Sequence, residues 1–289
     1  MKYERYLLDQ DEREKLGGQY VILSDGYTHY ELKGEGSPVV LVHGFSTPYY
    51  IYDKIFNSLT AMGYKVLRYD LYGRGYSDRP KKKYSLDLLV KQLEELIERF
   101  FSGEKFVLMG TSMGGSIVAA YAKRYPSRIE KLFLFAPAGM PFSPPIYMKL
   151  SKTPIIGDLV FKFLATPIMV KGISNELFFS VNEKDYYSKE FSKSVMYKGF
   201  SRALLSSLRN IVLKPENTLP GFKSLDTNKV KVVAIWGTDD RTMPYYQATT
   251  LKSIVKSIVF YEFKGSGHLF IFDEGERTMK IIEKELLQN

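Results

Sequence analysis

The 289-residue sequence contains no cysteine and only three histidines. Without cysteine the chain forms no disulfide, thiolate-ligated metal site, iron–sulfur cluster or cysteine nucleophile. Histidine is the side chain that most often serves as a general base. A search for a catalytic base is therefore confined to His29, His43 and His268.

Long hydrophobic runs are also absent. A membrane-spanning helix needs about 20 mostly apolar residues. The nearest candidate, residues 155–173, is interrupted by Asp158, Lys162, Pro167 and Lys171. The first 18 residues contain several acids and lack the apolar run of a signal peptide. These features predict a cytoplasmic protein.

The composition is that of a globular chain with an excess of positive charge. Hydrophobic residues make up 45% and charged residues 25% of the sequence, and the formal net charge is +9. This much apolar surface disfavours intrinsic disorder. The length fits one large α/β domain or a core domain with an insertion.

Short apolar runs alternate with helical patterns, as in a parallel α/β sheet. The predicted buried strands are residues 38–42, 65–69, 106–109, 131–135, 230–236 and 257–263. Near-continuous apolar strands indicate helices on both faces of the sheet, and the predicted helices are residues 85–100, 113–125 and 278–287. Two alternating segments, 20–23 and 28–32, flank Asp25-Gly26 and predict an antiparallel hairpin before the first buried strand.

One long segment interrupts this alternation. A simple strand–helix–strand unit takes about 30 residues, but no strand pattern occurs between residues 141 and 228. The segment is rich in proline and carries 12 basic and 7 acidic residues. We predict a core domain of residues 1–140 and 229–289 with a helical cap, residues 141–228, inserted into it.

The strongest chemical signal is the G-x-S-x-G motif from Gly110 to Gly114, with Ser112 at its centre. It directly follows a predicted strand and directly precedes a predicted helix. This is the context of a nucleophile elbow, in which a tight turn exposes the serine above the sheet edge. A serine hydroxyl needs a base to become nucleophilic. The motif therefore predicts Ser112 as a catalytic nucleophile.

His268 is the predicted base, because it lies in a glycine-rich loop after the last predicted strand. Two acids that could orient it follow the strand ending at Trp236; Asp240 is favoured over Asp239. The order Ser112, Asp240, His268 is that of the nucleophile-elbow hydrolases. His43 and His29 are interpreted as structural: the first as a brace for its loop, the second as part of the opening hairpin.

An acyl-transfer site also needs two backbone N–H groups to stabilise the oxyanion. One is expected from Met113, the residue after the nucleophile, and the other from Phe45 in the loop after the first buried strand. Ser46 is a candidate helper, although a turn-capping serine would look the same. His43, Ser46 and Leu269 adjoin these positions and are candidate substrate contacts.

The loop from Asp70 to Pro80 contains Gly73 and Gly75 and superficially suggests a dinucleotide site. It follows a later strand, and the acidic residue expected about 20 positions further on is missing. We interpret it as a turn-forming loop at the mouth of the site and expect no cofactor.

These motifs together resemble the α/β-hydrolase superfamily over nearly the whole chain. The resemblance rests on His43-Gly44-Phe45, the Asp70–Pro80 loop, the Ser112 elbow, Trp236-Gly237 with Asp240 and Pro244, and Gly267-His268. It implies a mostly parallel eight-stranded sheet flanked by helices, an inserted cap and hydrolysis without a cofactor.

Within that superfamily, comparison with the subfamilies works mostly by exclusion, and the sequence resembles esterases and monoacylglycerol-lipase-like enzymes at least as well as it resembles the other groups. Haloalkane dehalogenases and epoxide hydrolases use an aspartate where this chain has Ser112. Proline iminopeptidases carry HGGPG where this chain has His43-Gly44-Phe45-Ser46-Thr47. The hypothesis is a serine hydrolase that cleaves carboxylic esters through an acyl-enzyme.

Two other functions stay open at this point. The first is C–C hydrolysis of a meta-cleavage product, a vinylogous diketone; Arg202 and Arg209 are candidates for the cationic cap residue that it needs. The second is a small-molecule binding protein on the same scaffold, which can retain a catalytic triad.

The predicted partner is a small ester, with a lipid-like acyl group as one option. The basic, aromatic-rich cap suggests weak association with an anionic membrane surface or an acyl carrier, although a generally lysine-rich surface would look the same. No base-stacking motif supports a nucleic-acid role. Oligomeric state is left open.

Overall fold

The computed structural model describes residues 3–144, 146–170 and 184–288. Eight strands form one sheet in the order β1-β2-β4-β3-β5-β6-β7-β8. Their bounds are β1 Gln19–Leu23, β2 Gly26–Lys33, β3 Pro38–Val42, β4 Lys65–Tyr69, β5 Phe106–Thr111, β6 Ile129–Phe135, β7 Val232–Gly237 and β8 Val259–Phe263. The pairs β1–β2 and β2–β4 are antiparallel, and the other five pairs are parallel. The predicted mostly parallel eight-stranded α/β sheet is confirmed.

Helices flank the sheet and connect most of its strands. They are α1 Gln10–Leu16, α2 Asp53–Ala61, α3 Leu86–Phe101, α4 Met113–Arg124, α5 Ile146–Leu150, α6 Ile156–Val160, α7 Lys184–Ser194, α8 Phe200–Ser207, α9 Pro215–Thr227, α10 Tyr246–Ile254, α11 Phe270–Asp273 and α12 Gly275–Leu287. Two π-helical turns, Phe161–Ala165 and Leu208–Val212, follow α6 and α8. Within the described residues, no helix is long and apolar enough to cross a bilayer.

The amphipathic pattern of α3 shows why these segments fold as predicted. Ser85 precedes it, and its hydroxyl accepts a hydrogen bond from the Leu88 amide at 3.3 Å, which caps the helix. Leu89, Leu93, Leu96 and Ile97 recur at helical spacing and are fully buried. The strands of the sheet centre are buried on both faces: all five residues of β3 and all six of β5 are buried.

We call residues 136–231, between β6 and β7, the β6–β7 segment. Every regular element described in it is helical, α5 to α9 with the two π turns. Residues 171–183 of the predicted cap lie outside the described residues. The first turn of α8 contacts the core loop that follows β4, because Arg202 donates hydrogen bonds to the carbonyls of Arg79 (2.9 Å) and Pro80 (3.0 Å).

The sheet topology brings the candidate chemistry to one edge. β3, β5, β6, β7 and β8 are parallel, so their carboxyl ends lie along the same side of the sheet. The loops that leave these ends contain Phe45, Ser112, Asp240 and His268. In open α/β sheets this edge is where ligands bind.

Candidate active site

Ser112 occupies the turn between β5 and α4 in a conformation that is rare for a residue with a side chain. Its φ is 52°, in a region that serine adopts only when the surrounding structure enforces it. A Cβ on Gly114 would penetrate the carbonyl oxygen of Val42, and one on Gly115 would lie 2.5 Å from Cβ of Pro137. Glycine at these positions lets α4 begin directly against β3 and against the loop at the carboxyl end of β6.

Three backbone hydrogen bonds hold this turn in place. The Ser112 amide donates to the carbonyl of Phe135 at 2.9 Å, and the Ser112 carbonyl accepts from the amides of Gly115 at 2.9 Å and Ala138 at 2.8 Å. The bonds to Phe135 and Ala138 come from the neighbouring strand and its loop. The conformation of the serine is therefore fixed by tertiary contacts as well as by its own sequence. Ser112 is 7% exposed.

His268 and Asp240 form a buried pair. Nδ1 of His268 lies 2.7 Å from Oδ2 of Asp240, and the other carboxylate oxygen accepts hydrogen bonds from the amides of Thr242 (2.8 Å) and Met243 (2.7 Å). With Nδ1 directed to the carboxylate, Nε2 is the ring nitrogen left to act on a substrate. Nε2 is the atom through which such a histidine acts as a base.

Asp239 lies next to Asp240 but does not reach the histidine. It is exposed, and its carboxylate accepts from the Thr238 hydroxyl at 3.0 Å. Its amide donates to the Ser266 carbonyl at 3.0 Å. The structure thus pairs His268 with the aspartate that the motif register favours.

Ser112 and His268 are not hydrogen-bonded to each other. Among the described residues, neither Oγ of Ser112 nor Nε2 of His268 has a hydrogen-bond partner. The two loops are linked by packing, since the ring of Phe270 meets the ring of Phe135 edge-on at 6.3 Å and Phe135 accepts from the Ser112 amide. Catalytic hydrogen bonds are often long without substrate and tighten when it binds.

The two predicted oxyanion amides flank Ser112. A Cβ on Gly44 would lie 3.0 Å from Cβ of Ser112, so the loop carrying Phe45 touches the serine directly. Met113 begins α4, where the first amides of a helix have no intrahelical acceptor. In the described part of the chain, neither the Phe45 amide nor the Met113 amide donates a hydrogen bond.

His43 is fully buried, and both its ring nitrogens bind backbone groups. Nδ1 lies 3.0 Å from the carbonyl of Gly44, and Nε2 accepts from the amide of Leu71 at 2.9 Å. Burial lowers the pKa of its imidazole to about 4, so the ring is neutral at physiological pH. This arrangement agrees with the expected brace of the loop; the predicted substrate contact of His43 stays a prediction. Ser46 is half-buried and Leu269 is buried at the start of α11.

Sequence reasoning overlooked Arg74, which lies in the loop interpreted only as a turn. Its side chain is fully buried; Nε donates to the Phe45 carbonyl at 2.9 Å and Nη1 to the Tyr72 carbonyl at 3.1 Å. Burial lowers the pKa of the guanidinium to about 10, which keeps it charged at neutral pH. A single arginine between Gly73 and Gly75, close in sequence to a strand end, was the available signal.

Asp70 organises the same loop from inside. Its carboxylate accepts from Nδ1 of His29 at 2.9 Å and from the amides of Tyr49 (3.0 Å) and Tyr76 (2.9 Å). Burial alone would raise the pKa of this carboxyl, but the hydrogen bonds and the neighbouring histidines outweigh it and hold the pKa below its usual value. This role of His29 is structural, as expected from the sequence.

The two arginines considered for C–C hydrolysis are bound to protein groups. Arg209 donates to the carbonyls of Ser151 (2.6 Å) and Thr153 (3.1 Å) and pairs with Asp158 at 2.9 Å. Arg202 donates to two carbonyls of the core loop, as described above. Among the described residues, no group of three or more histidine, aspartate or glutamate side chains is arranged to hold a metal ion.

Comparison with known proteins gives one family match and a broad structural likeness. The family model described as "Serine aminopeptidase, S33" (Hydrolase_4) matches residues 36–197. The "AB hydrolase superfamily protein YisY" of Bacillus subtilis is 26% identical over 92% of this chain and 97% of its own length.

Two solved structures illustrate the likeness. A thermophilic esterase from Thermogutta terrifontis superposes with a TM-score of 0.78 at 20% identity, covering 93% of this chain and 98% of its own. The meta-cleavage product hydrolase CumD from Pseudomonas fluorescens IP01 superposes with a TM-score of 0.72 at 20% identity, covering 92% and 96%. At this identity the superpositions establish the fold and leave the substrate open.

Proposed function

This chain belongs to the Hydrolase_4 family within the α/β-hydrolase superfamily, and from that premise we propose that it is a serine hydrolase acting on carboxylic esters. The observation that carries the proposal is the strained Ser112 at the β5–α4 turn, on the same sheet edge as the buried His268–Asp240 pair. No metal or cofactor is part of the proposed chemistry.

In the proposed reaction, Oγ of Ser112 attacks the ester carbonyl while Nε2 of His268 accepts the hydroxyl proton. The carbonyl carbon becomes tetrahedral, and its oxyanion accepts hydrogen bonds from the amides of Phe45 and Met113. Asp240 holds the imidazole in the required tautomer and stabilises the imidazolium.

Collapse of the intermediate breaks the ester C–O bond. His268 returns its proton to the departing alkoxide, so an alcohol leaves and the acyl group stays on Ser112. A water molecule then gives a proton to His268 and attacks the acyl-enzyme, and the second collapse releases the carboxylic acid and restores the Ser112 hydroxyl.

We assign Arg74 a positioning role in this reaction. Its hydrogen bond to the Phe45 carbonyl fixes the orientation of that residue beside the nucleophile. Oxyanion donors act only when they are held in place before charge develops. A buried cation close to the oxyanion loop also favours negative charge nearby.

C–C hydrolysis receives less support from the contacts. It calls for a cation free to hold a dienolate, whereas Arg202 and Arg209 are both engaged with backbone carbonyls. A ligand-binding role without turnover is the other alternative. The number of turnovers distinguishes this role from catalysis, because a binding protein with a residual triad would release at most one product molecule per chain.

The deciding experiment is hydrolysis of p-nitrophenyl esters from acetate to palmitate by the wild type and by Ser112→Ala. We expect multiple turnovers by the wild type and a fall in kcat of at least about 10³-fold in the variant, since the covalent step is lost. Ser253→Ala, an exposed serine on α10, is the matched control and should behave as wild type. Equal rates in the wild type and Ser112→Ala would overturn the proposal.

A further inference from the structure

Exposed apolar side chains are concentrated in one part of the β6–β7 segment. The described chain exposes fifteen large hydrophobic residues, and seven of them lie between residues 146 and 168. Six of these are Ile146, Leu150, Ile155, Ile156, Leu159 and Phe163, each between 47% and 75% exposed. Single exposed apolar residues are ordinary, but a cluster of this kind marks an interaction surface.

Helical spacing places these residues on common faces. Ile146 and Leu150 are four residues apart on α5, and Ile156, Leu159 and Phe163 follow the i, i+3, i+7 spacing along α6 and the next turn. Gly157 and Phe161, on another side of the same helix, are buried against the protein. The exposed residues therefore form an outward face.

Arg209 fixes the two helices relative to each other. Its guanidinium binds the carbonyls of Ser151 and Thr153, after α5, together with the carboxylate of Asp158 on α6. Gly157 lies so close to Ser151 that a Cβ there would come within 2.5 Å of its carbonyl oxygen. The two helices are therefore held in one arrangement, and their exposed residues form a surface of defined shape.

Within residues 146–168, lysines outnumber acids three to one. Lys149, Lys152 and Lys162 are exposed within residues 146–168, and none forms an ion pair with a described residue. Asp158 is the one acid in that range, and it is paired with Arg209. We call the six apolar residues and three lysines the cationic apolar face.

We propose that the cationic apolar face docks the protein on an anionic lipid bilayer, with the apolar side chains inserted at the headgroup boundary and the three lysines on lipid phosphates. Interfacial helices combine an apolar face with lysines in this way. Attraction to anionic headgroups adds to the apolar insertion and falls with salt. The proposal concerns binding alone and does not depend on the proposed esterase activity.

A second copy of the chain fits this face less well than a bilayer. A two-fold symmetric contact would bring the same face together from both subunits. Such a contact would gather Lys149, Lys152 and Lys162 of both copies in one interface, and like charges at an interface oppose association. An anionic bilayer offers the opposite charge and an apolar layer at the same time.

The test is co-sedimentation with vesicles of phosphatidylcholine alone and of phosphatidylcholine mixed with phosphatidylglycerol, at low and high salt. We expect the wild type to bind the anionic vesicles at least about a hundredfold more tightly than the neutral ones at low salt, with the difference shrinking as salt rises. Ile156→Ser/Leu159→Ser/Phe163→Ser should weaken this binding at least about tenfold. Lys149→Gln/Lys152→Gln/Lys162→Gln should weaken it on the order of a hundredfold at low salt.

The matched control is Ile22→Ser/Met62→Ser/Leu287→Ser, which removes three exposed apolar side chains from separate elements and should leave binding unchanged. Circular dichroism of every variant reports folding. Wild-type binding that is absent, equal for both vesicles, or unchanged by the apolar triple variant overturns the proposal. So does self-association in lipid-free solution that the same variant abolishes. Because Ser112→Ala can be used throughout, failure of lipid binding and failure of ester hydrolysis are separate results.

Discussion

Ser112 holds a φ of 52° because the glycines at positions 114 and 115 leave room for the turn and because Phe135 and Ala138, on β6 and the loop after it, bind its backbone. Holding a non-glycine residue in this region costs about 1–3 kcal/mol, which the rest of the fold must supply. The benefit is geometric: the hydroxyl leaves the sheet edge while the following amide, that of Met113, stays at the helix start. Local strain and the proposed chemistry therefore have one origin.

The neighbouring aspartates allow a controlled test of the acid. Asp240→Asn should lower kcat on a p-nitrophenyl ester by about 10⁴-fold, because the amide no longer holds the Nδ1–H tautomer of His268. Asp239→Asn changes an adjacent, exposed carboxylate and should stay within about twofold of wild type. Steady-state kinetics of the two variants tests which aspartate orients His268. A larger loss of kcat in Asp239→Asn would contradict the assignment of this role to Asp240.

His43 predicts a pH dependence of stability. Burial lowers its pKa to about 4 in the folded state, while the unfolded chain titrates near 6.5. Below about pH 6.5 the imidazole is protonated in the unfolded state but stays neutral in the folded state. The contribution of His43 to the free energy of unfolding is therefore fully present above about pH 6.5 and is lost as the pH falls towards 4. The linkage amounts to about 3 kcal/mol of unfolding free energy.

Urea denaturation of the wild type and His43→Asn at pH 7 and pH 4 measures this effect. The variant removes the titrating ring, so the stability difference between the two proteins should shift in the variant's favour by about 3 kcal/mol on going to pH 4. Both proteins keep the Asp70 carboxyl, whose pKa is lowered by its hydrogen bonds and by the neighbouring histidines. A pH-independent difference would show that His43 is protonated alike in both states.

At the scale of elements, the N-terminal segment ties the β6–β7 segment to the core. The amides of Glu4 and Tyr6 donate to the carbonyls of Val195 and Met196, both at 3.0 Å. α8 begins after Gly199 without a side-chain cap of its own. The carboxylate of Glu4 supplies one, accepting from the Gly199 amide at 2.7 Å and the Ser201 hydroxyl at 2.7 Å.

Glu4→Ala should therefore lower the unfolding free energy by about 1–2 kcal/mol, the usual loss on removing a helix cap. Glu35→Ala, an exposed acid in the turn between β2 and β3, is the matched control and should change stability by less than about 0.5 kcal/mol. Thermal unfolding followed by circular dichroism gives both values. If the two variants lose the same stability, Glu4 is not acting as a cap.

The elements themselves were largely predictable, because hydrophobic periodicity and the capping and turn residues that end a helix or strand are local properties of the chain. The structure starts and ends β3 and β4 at the predicted residues, and α3 lies one residue from its predicted bounds. The predicted starts of β7 and β8 were two residues early, since residues 230–231 and 257–258 precede the paired strands. The cap that Glu4 provides for α8 had no local signal, because the two lie far apart in the sequence.

At the scale of the whole molecule, the close contact between α8 of the β6–β7 segment and the core loop after β4 requires a glycine at position 73. Its φ is 83°, and a Cβ there would overlap Cβ of Ala203 on α8 and lie 2.9 Å from Cε1 of Tyr84. The absence of a side chain lets α8 approach the core loop that contains Arg74. The same packing thus joins the helical segment to the residue that orients the Phe45 loop.

Gly73→Ala should destabilise the protein by about 3 kcal/mol through backbone strain and overpacking. Ala203→Gly should cost about 1 kcal/mol as a helix-interior glycine. If the two sites touch, the double variant should be less destabilised than the sum of the singles by about 1 kcal/mol. Urea denaturation of all four proteins tests this, and additive losses would show that the contact is not formed.

The sequence by itself determined the mostly parallel sheet, the position of the candidate nucleophile and the three chain segments that supply the candidate site. Each of these follows from hydrophobic period, glycine spacing or motif order, which are properties of neighbouring residues. Only the tertiary structure decided that Asp240 pairs with His268, that His43 is sealed inside and that Arg74 holds the Phe45 carbonyl. Those bonds join residues far apart in the chain, and burial and hydrogen-bond geometry, which select among such pairs, exist only once the strands are side by side.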